Sequence, residues 1–139
     1  MNNMTAHDLL QQYQTQLDQH FTVQKDATVA LNQWLAQQFP ITKLIHLLQA
    51  LLNDQQYLEQ VASRSYQHGN GFLKVVLLDR GYKLRLHIWF AGQSCEENIR
   101  DHRWSFSSLI LAGQLTSGIW QDDAHGQAFQ EFEYHAICE

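Results

Sequence analysis

The run HGNGFLKVVLLDRGYKLRLHIWF, His68 to Phe90, carries the change of period that decides the fold. His68-Gly69-Asn70-Gly71 consists of residues that form turns readily, Gly and Asn because they tolerate positive φ, and predicts a turn. Phe72 to Asp79, FLKVVLLD, is apolar and β-branched, the composition of a buried strand. Arg80-Gly81 makes the next turn. From Tyr82 to Phe90 the residues alternate, with Leu84, Leu86, Ile88 and Phe90 on one side and Lys83, Arg85, His87 and Trp89 on the other. That pattern predicts a half-buried strand, or a barrel strand with one polar face.

Upstream of this run the period is helical. Thr5 followed by Asp8 has the spacing of a capping box, in which each side chain satisfies an orphan amide of the first turn. Leu9, Leu10, Tyr13 and Leu17 then recur on one helical face, with Gln on the wet side. A second helix is expected from Asp26, carrying Val29, Ala30, Trp34 and Leu35 and ended by Pro40. Thr42 is the expected cap of a third, whose apolar face is Leu44, Ile45, Leu47, Leu48, Leu51 and Leu52. Asn53-Asp54 is a break or a fresh cap, after which Tyr57, Leu58, Val61 and Ala62 continue the pattern to about Tyr66. The stripe predicts packing against the rest of the same chain.

Downstream, Ala91–Glu97 reads as a loop and NIRDHRWSFSSLILAGQL, Asn98 to Leu115, as a charged, aromatic loop feeding an apolar strand over Trp104–Ala112 that stops at Gly113. Leu115–Trp120 and Ala128–Ile137 read as two more strands, separated by the polar turn QDDAHG. The fold class expected is α+β, with a helical region over 1–67 packed on a β-barrel or sandwich over 68–139 as one structural domain. The last expected strand runs almost to Glu139, and about five or six strands are countable where a jelly roll needs about eight. The barrel is therefore expected to be incomplete, by truncation or by completion from a partner chain.

Bulk properties narrow the function classes. The chain has 139 residues, 45% hydrophobic and 12% aromatic, enough for one core and unlike a disordered chain. A formal net charge of -5 gives no general attraction to nucleic acid or anionic membrane. Arg85, Arg100 and Arg103 are too few for a phosphate-tracking stripe. Cys95 and Cys138 do not make a disulfide scaffold. The polar start MNNMTAHDLL has no signal-peptide pattern, and the apolar runs are too short to span a membrane. A cytoplasmic protein acting on a small molecule, with neither nucleic acid nor membrane as partner, is the expectation. Ser-His-Asp spacing, a phosphate-cradling Gly loop and a zinc-type Cys pair are all missing from the sequence.

The HGNGF turn, the KLRLHIW strand and DHRWSF…LAG resemble the cupin superfamily, the RmlC-like jelly rolls, and in particular bacterial cupin-like proteins related to the thiol dioxygenases. The first cupin motif is a His-x-His pair followed by a Glu and then a Gly. His102 stands at the second His and Gly113 at the closing Gly. Arg100 stands where the first His should be, Phe106 or Ser107 where the Glu should be, and the second cupin motif is not recognisable. The resemblance covers roughly a third of the chain, and its motif is more specific for fold than for chemistry.

What the resemblance implies is a metal-dependent oxygenase for a small polar or carboxylate-bearing molecule. Fe(II) or another divalent transition metal would be held by His102 with His87 and His135 as companions. Arg85 and Arg100 would act on the substrate carboxylate, since guanidinium pairs bidentately with planar oxyanions. Trp104 and Phe106, alternating with His102, would line the substrate pocket. A homodimer is implied as well. Other readings of the same residues stay open. His87 and His135 are equally ordinary surface imidazoles, and the arginines could pair with Asp101, Glu96 and Glu97. The chain could be a metal-free ligand-binding cupin, an isomerase with His102 as base, or an inactive truncated cupin.

Overall fold

The structure, a computed structural model, describes residues 4–23, 28–93, 99–102 and 104–132. The first helix, α1 (Ala6–Val23), begins on the expected capping box. The Thr5 hydroxyl accepts from the Asp8 amide at 3.1 Å, and the Asp8 carboxylate accepts from the Thr5 amide at 3.0 Å. Ala6, Leu10, Tyr13 and Leu17 make its buried stripe. α2 (Thr28–Gln38) contributes buried Trp34, whose indole N–H donates to Gln16 Oε1 of α1 at 2.8 Å. The expected start at Asp26 lies outside the described residues.

α3 (Ile41–Leu52) starts one residue before the expected Thr42 cap. Pro40 occupies the cap position, with no side-chain bond; its carbonyl accepts from Lys43 and Leu44 amides, and its lack of an N–H costs nothing there. Only Leu44, Leu47 and Leu51 of the expected six-residue apolar face are buried, while Ile45 and Leu52 are exposed. Those three follow the 3–4 spacing of a single stripe; Ile45 and Leu52 are rotated off it. Asp54 then caps α4 (Gln55–Ser63), accepting from the Tyr57 amide at 3.1 Å.

The helical pattern expected to reach about Tyr66 gives way earlier. After Ser63 the chain extends into β1 (Tyr66–His68), which pairs antiparallel with β2 (Phe72–Asp79), which pairs antiparallel with β3 (Lys83–Trp89). Sheet order is β1-β2-β3. Gly71, at φ 75°, closes the first hairpin in a conformation that favours glycine. The expected alternation of the last strand holds over β3. Leu84 belongs to the core with Leu77 and Leu78, and Leu86 packs against it, as does Val75. The same buried cluster takes residues from all four helices, so the helices cover one face of the sheet.

Leu77 and Leu78 are neighbours in the chain and both enter the same helix-side core, which a regular pleat does not allow. The ladder slips between them: Val76 pairs with Arg85, but Leu78 pairs with Leu84, so Leu77 is an inserted residue. The connection from α4 to β1 closes this bulge. Arg64 donates through Nε to the Val76 carbonyl at 2.7 Å and through Nη2 to the Leu77 carbonyl at 2.5 Å. Ser65 Oγ accepts from the Val76 amide at 3.0 Å and donates to the Val61 carbonyl at 2.6 Å.

Residues 99–102 and 104–132 contain neither helix nor strand among those described, although strands were expected at 104–112 and 115–120. These residues have the composition of strands and no ladder partner among the described residues; residues 128–132 of the strand expected at 128–137 are likewise not strand, and the rest of it lies outside the described residues. Ile110, Leu115, Ile119 and Trp120 are exposed, Ile119 at 96%. Ser107 Oγ donates to the Thr28 carbonyl and Leu111 packs on the core, fastening the first part of this segment. The fold shown is thus α+β with a small open antiparallel sheet. No helix among the described residues is long and apolar enough to cross a membrane.

Arg64→Ala should lower unfolding stability by about 2 kcal/mol, the cost of leaving two part-buried carbonyls without a charged donor. Arg64→Lys should recover part of that loss. Urea unfolding measures it, and a midpoint unchanged by Arg64→Ala would mean that the bulge does not depend on this clamp.

Candidate functional site

The sheet face turned away from the helices carries the polar side chains. Register sets their neighbours: Tyr66, Lys74 and His87 form one row across the three strands, and His68, Phe72 and Trp89 form the next. Arg85 follows beside Val76. The aromatic members touch one another. His68 stacks on Phe72 with ring centroids 4.5 Å apart and planes 11° apart. His87 lies 4.5 Å from Phe72, and Trp89 lies 4.8 Å from Phe72 and 5.9 Å from His87. Phe72 is buried beneath them, outside the helix-side core.

Three cations surround this patch. Lys74 Nζ donates to the Tyr66 hydroxyl at 2.8 Å and lies 4.9 Å over its ring. Arg100 reaches back to the first hairpin, where Nη1 donates to Asn70 Oδ1 at 3.1 Å. Arg85 Nε is buried and makes no hydrogen bond. Among the described residues none of the three is paired with a carboxylate; the ion pair there is Lys83 with Asp79, at the other end of the sheet. Asp101 does not neutralise Arg85 or Arg100, and Glu96 and Glu97 lie outside the described residues. Lys74 and Arg85 are diagonal neighbours across the β2–β3 ladder.

The imidazoles respond to this surround. Loss of water against Phe72 and Trp89 lowers His87 to about 4, and the Lys74, Arg85, His68 and Arg100 charges push the same way. The residue as a whole stays more than a third exposed. His68 is lowered too, by desolvation first and then by Lys74 and Arg100. Its Nδ1 accepts from the Asn70 amide at 3.2 Å, a bond open only to an imidazole unprotonated at that nitrogen. At neutral pH the face therefore offers two neutral imidazoles among three fixed positive charges.

The residues singled out from the sequence divide. Arg85, His87 and Arg100 come together on this face. His102 packs on Phe106 at 5.0 Å and is exposed, and Trp104 and Phe106 are more than half exposed in the segment after the sheet. His135 and Arg103 lie outside the described residues. Tyr66, His68, Phe72, Lys74 and Trp89 belong to the face without having been singled out. Their signal was the register: Phe72 and Lys74 sit two apart in a strand whose apolar run hides its alternation. For a metal, the test is convergence of donors. His68 and His87 both lie against Phe72 and make no ring contact with each other, and among the described residues no group of three His, Cys, Asp or Glu could hold an ion. Of the implied ligands His102, His87 and His135, the last lies outside the described residues.

A second hollow is lined by Asp18, Phe21, Thr22, Arg80, Gly81 and Tyr82. Tyr82 donates to Asp18 Oδ1 at 2.7 Å and stacks on Phe21 at 4.7 Å, so its polar groups are satisfied and it ties the second hairpin to α1. Burial and the Asp18 carboxylate push the phenol ionisation upward. No protein family, curated protein or solved structure matches the chain.

Because the folded protein holds His87 below the ordinary histidine value of 6.5, the unfolded chain binds the extra proton between about 4 and 6.5. Stability should then fall as pH drops through that window, with His68, lowered in the same direction, adding to it. His87→Gln should flatten the dependence of Tm on pH between 4 and 6.5 relative to the wild type. Parallel curves for the two proteins would show that His87 is not held neutral.

Proposed function

We propose that this chain is a cupin-like small-ligand-binding module that takes a carboxylate-bearing molecule on the outer face of β1, β2 and β3. The observation that carries this reading is the group Lys74, Arg85 and Arg100, three cations with no carboxylate partner among the described residues on a chain of net charge -5. An anion between them removes their mutual repulsion. The neutral imidazole of His87 supplies a hydrogen bond without adding charge. In the cupin reading the apolar stretches after residue 104 continue the sheet and turn this face toward a barrel interior. The exposed Ile110, Leu115 and Ile119 support that extension, since large apolar side chains gain from being covered. The barrel would exclude water and strengthen the same ionic contacts.

A thermal-shift and calorimetric screen of mono- and dicarboxylates in the presence of EDTA tests the proposal. At least one acid should raise Tm, and Arg85→Ala and Arg100→Ala should each weaken its binding about tenfold, the equivalent of about 1.4 kcal/mol. Silence across the screen, or affinity indifferent to Arg85→Ala, would refute the site. Binding that appears only when a transition metal replaces EDTA would contradict the metal-free form of the proposal.

A further inference from the structure

Trp89 is the large apolar side chain at the end of this face that nothing on the sheet covers. It is 50% exposed at the edge strand, yet its position is fixed, tilted against Phe72 and edge-on to His87. A Trp held this way offers a rigid π-surface that loses little freedom when a second ring lies on it. The charges stand at a definite offset from it. Lys74 pairs with His87, one step along from the Phe72–Trp89 pair, and is a diagonal neighbour of Trp89. Arg85 is two residues beyond His87 on the same face, and Arg100 is fastened to the hairpin that leads into Phe72.

We infer that the ligand is an aryl-alkanoic acid, a flat aromatic ring on a short carbon arm ending in a carboxylate, with the ring against Trp89 and the carboxylate between Lys74 and Arg85. This deepens the carboxylate-site reading and rests on it. The class follows from the order along the face, Trp89 first, then His87 beside Lys74, then Arg85: ring and carboxylate meet successive positions, and an acid with no ring leaves the indole bare. The neutral imidazole of His87, midway along the path, is a wall for the arm that imposes no charge preference.

Two matched probes separate ring from carboxylate, 3-phenylpropanoate and 3-cyclohexylpropanoate, which share the arm and the acid and differ in the flatness of the ring. Calorimetry on the full chain should find the aromatic acid bound at least tenfold tighter. Trp89→Leu should erase that ratio, and Trp89→Phe should keep most of it. Equal affinities for the two acids in the wild-type protein, with Arg85→Ala still weakening both, would overturn the inference about the ring and leave the carboxylate site standing. Failure of both acids to bind, in a protein that also ignores every other carboxylate, would overturn both. The wild-type ratio needs no variant, so a Trp89→Leu protein that fails to fold does not shield the inference.

Discussion

Burying two successive strand residues is a problem that a pleat cannot solve by itself. Leu77 and Leu78 both enter the helix-side core, and the inserted residue lets them do so without shifting the rest of β2. A bulge takes backbone groups off the ladder, and here they are met by Arg64 and Ser65, the two residues between α4 and β1. The clamp therefore joins three things: the last helix, the strand that follows it, and the register of β2 against β3. Register in turn decides the polar face. A slip of one residue would send Lys74 or Arg85 into the leucines beneath the sheet and bring Leu73 or Leu86 outward.

The face that this register creates runs against the charge of the whole chain. The protein is acidic overall, yet Lys74, Arg85 and Arg100 gather where two imidazoles are driven neutral. Like charges held together by a sheet cost free energy. No carboxylate among the described residues offsets that cost. In the proposed reading this positive charge receives an external anion. The half-exposed Trp89 would add an apolar preference to the same proposed site.

Much of the fold is legible from local chemistry alone. The Thr5–Asp8 box, the Asp54 cap, the two hairpin turns and the alternation from Lys83 to Trp89 each depend on residues close in sequence. What sequence could not reach depends on pairing. Tyr66–His68 is three residues long, too short for a period, and becomes a strand because β2 lies beside it. Pro40 looks like the end of α2 and serves also as the start of α3, which its local preference leaves undetermined. Arg64 has no visible role until the bulge presents two carbonyls to it. Of the site, Arg85 and His87 were legible through alternation, and Arg100 through its place in a motif. Lys74 and His68 were hidden because their importance lies in what stands across the ladder.

The most direct test is to watch the face itself. In an isotope-labelled sample titrated with 3-phenylpropanoate, NMR should show the largest shifts at Lys74, His87, Trp89 and the Arg85 and Arg100 side-chain Nε–H groups. Signals from the Asp18, Phe21 and Tyr82 hollow should stay in place. Shifts concentrated in that hollow, or none at saturating acid, would contradict the assignment of the outer sheet face as the binding site.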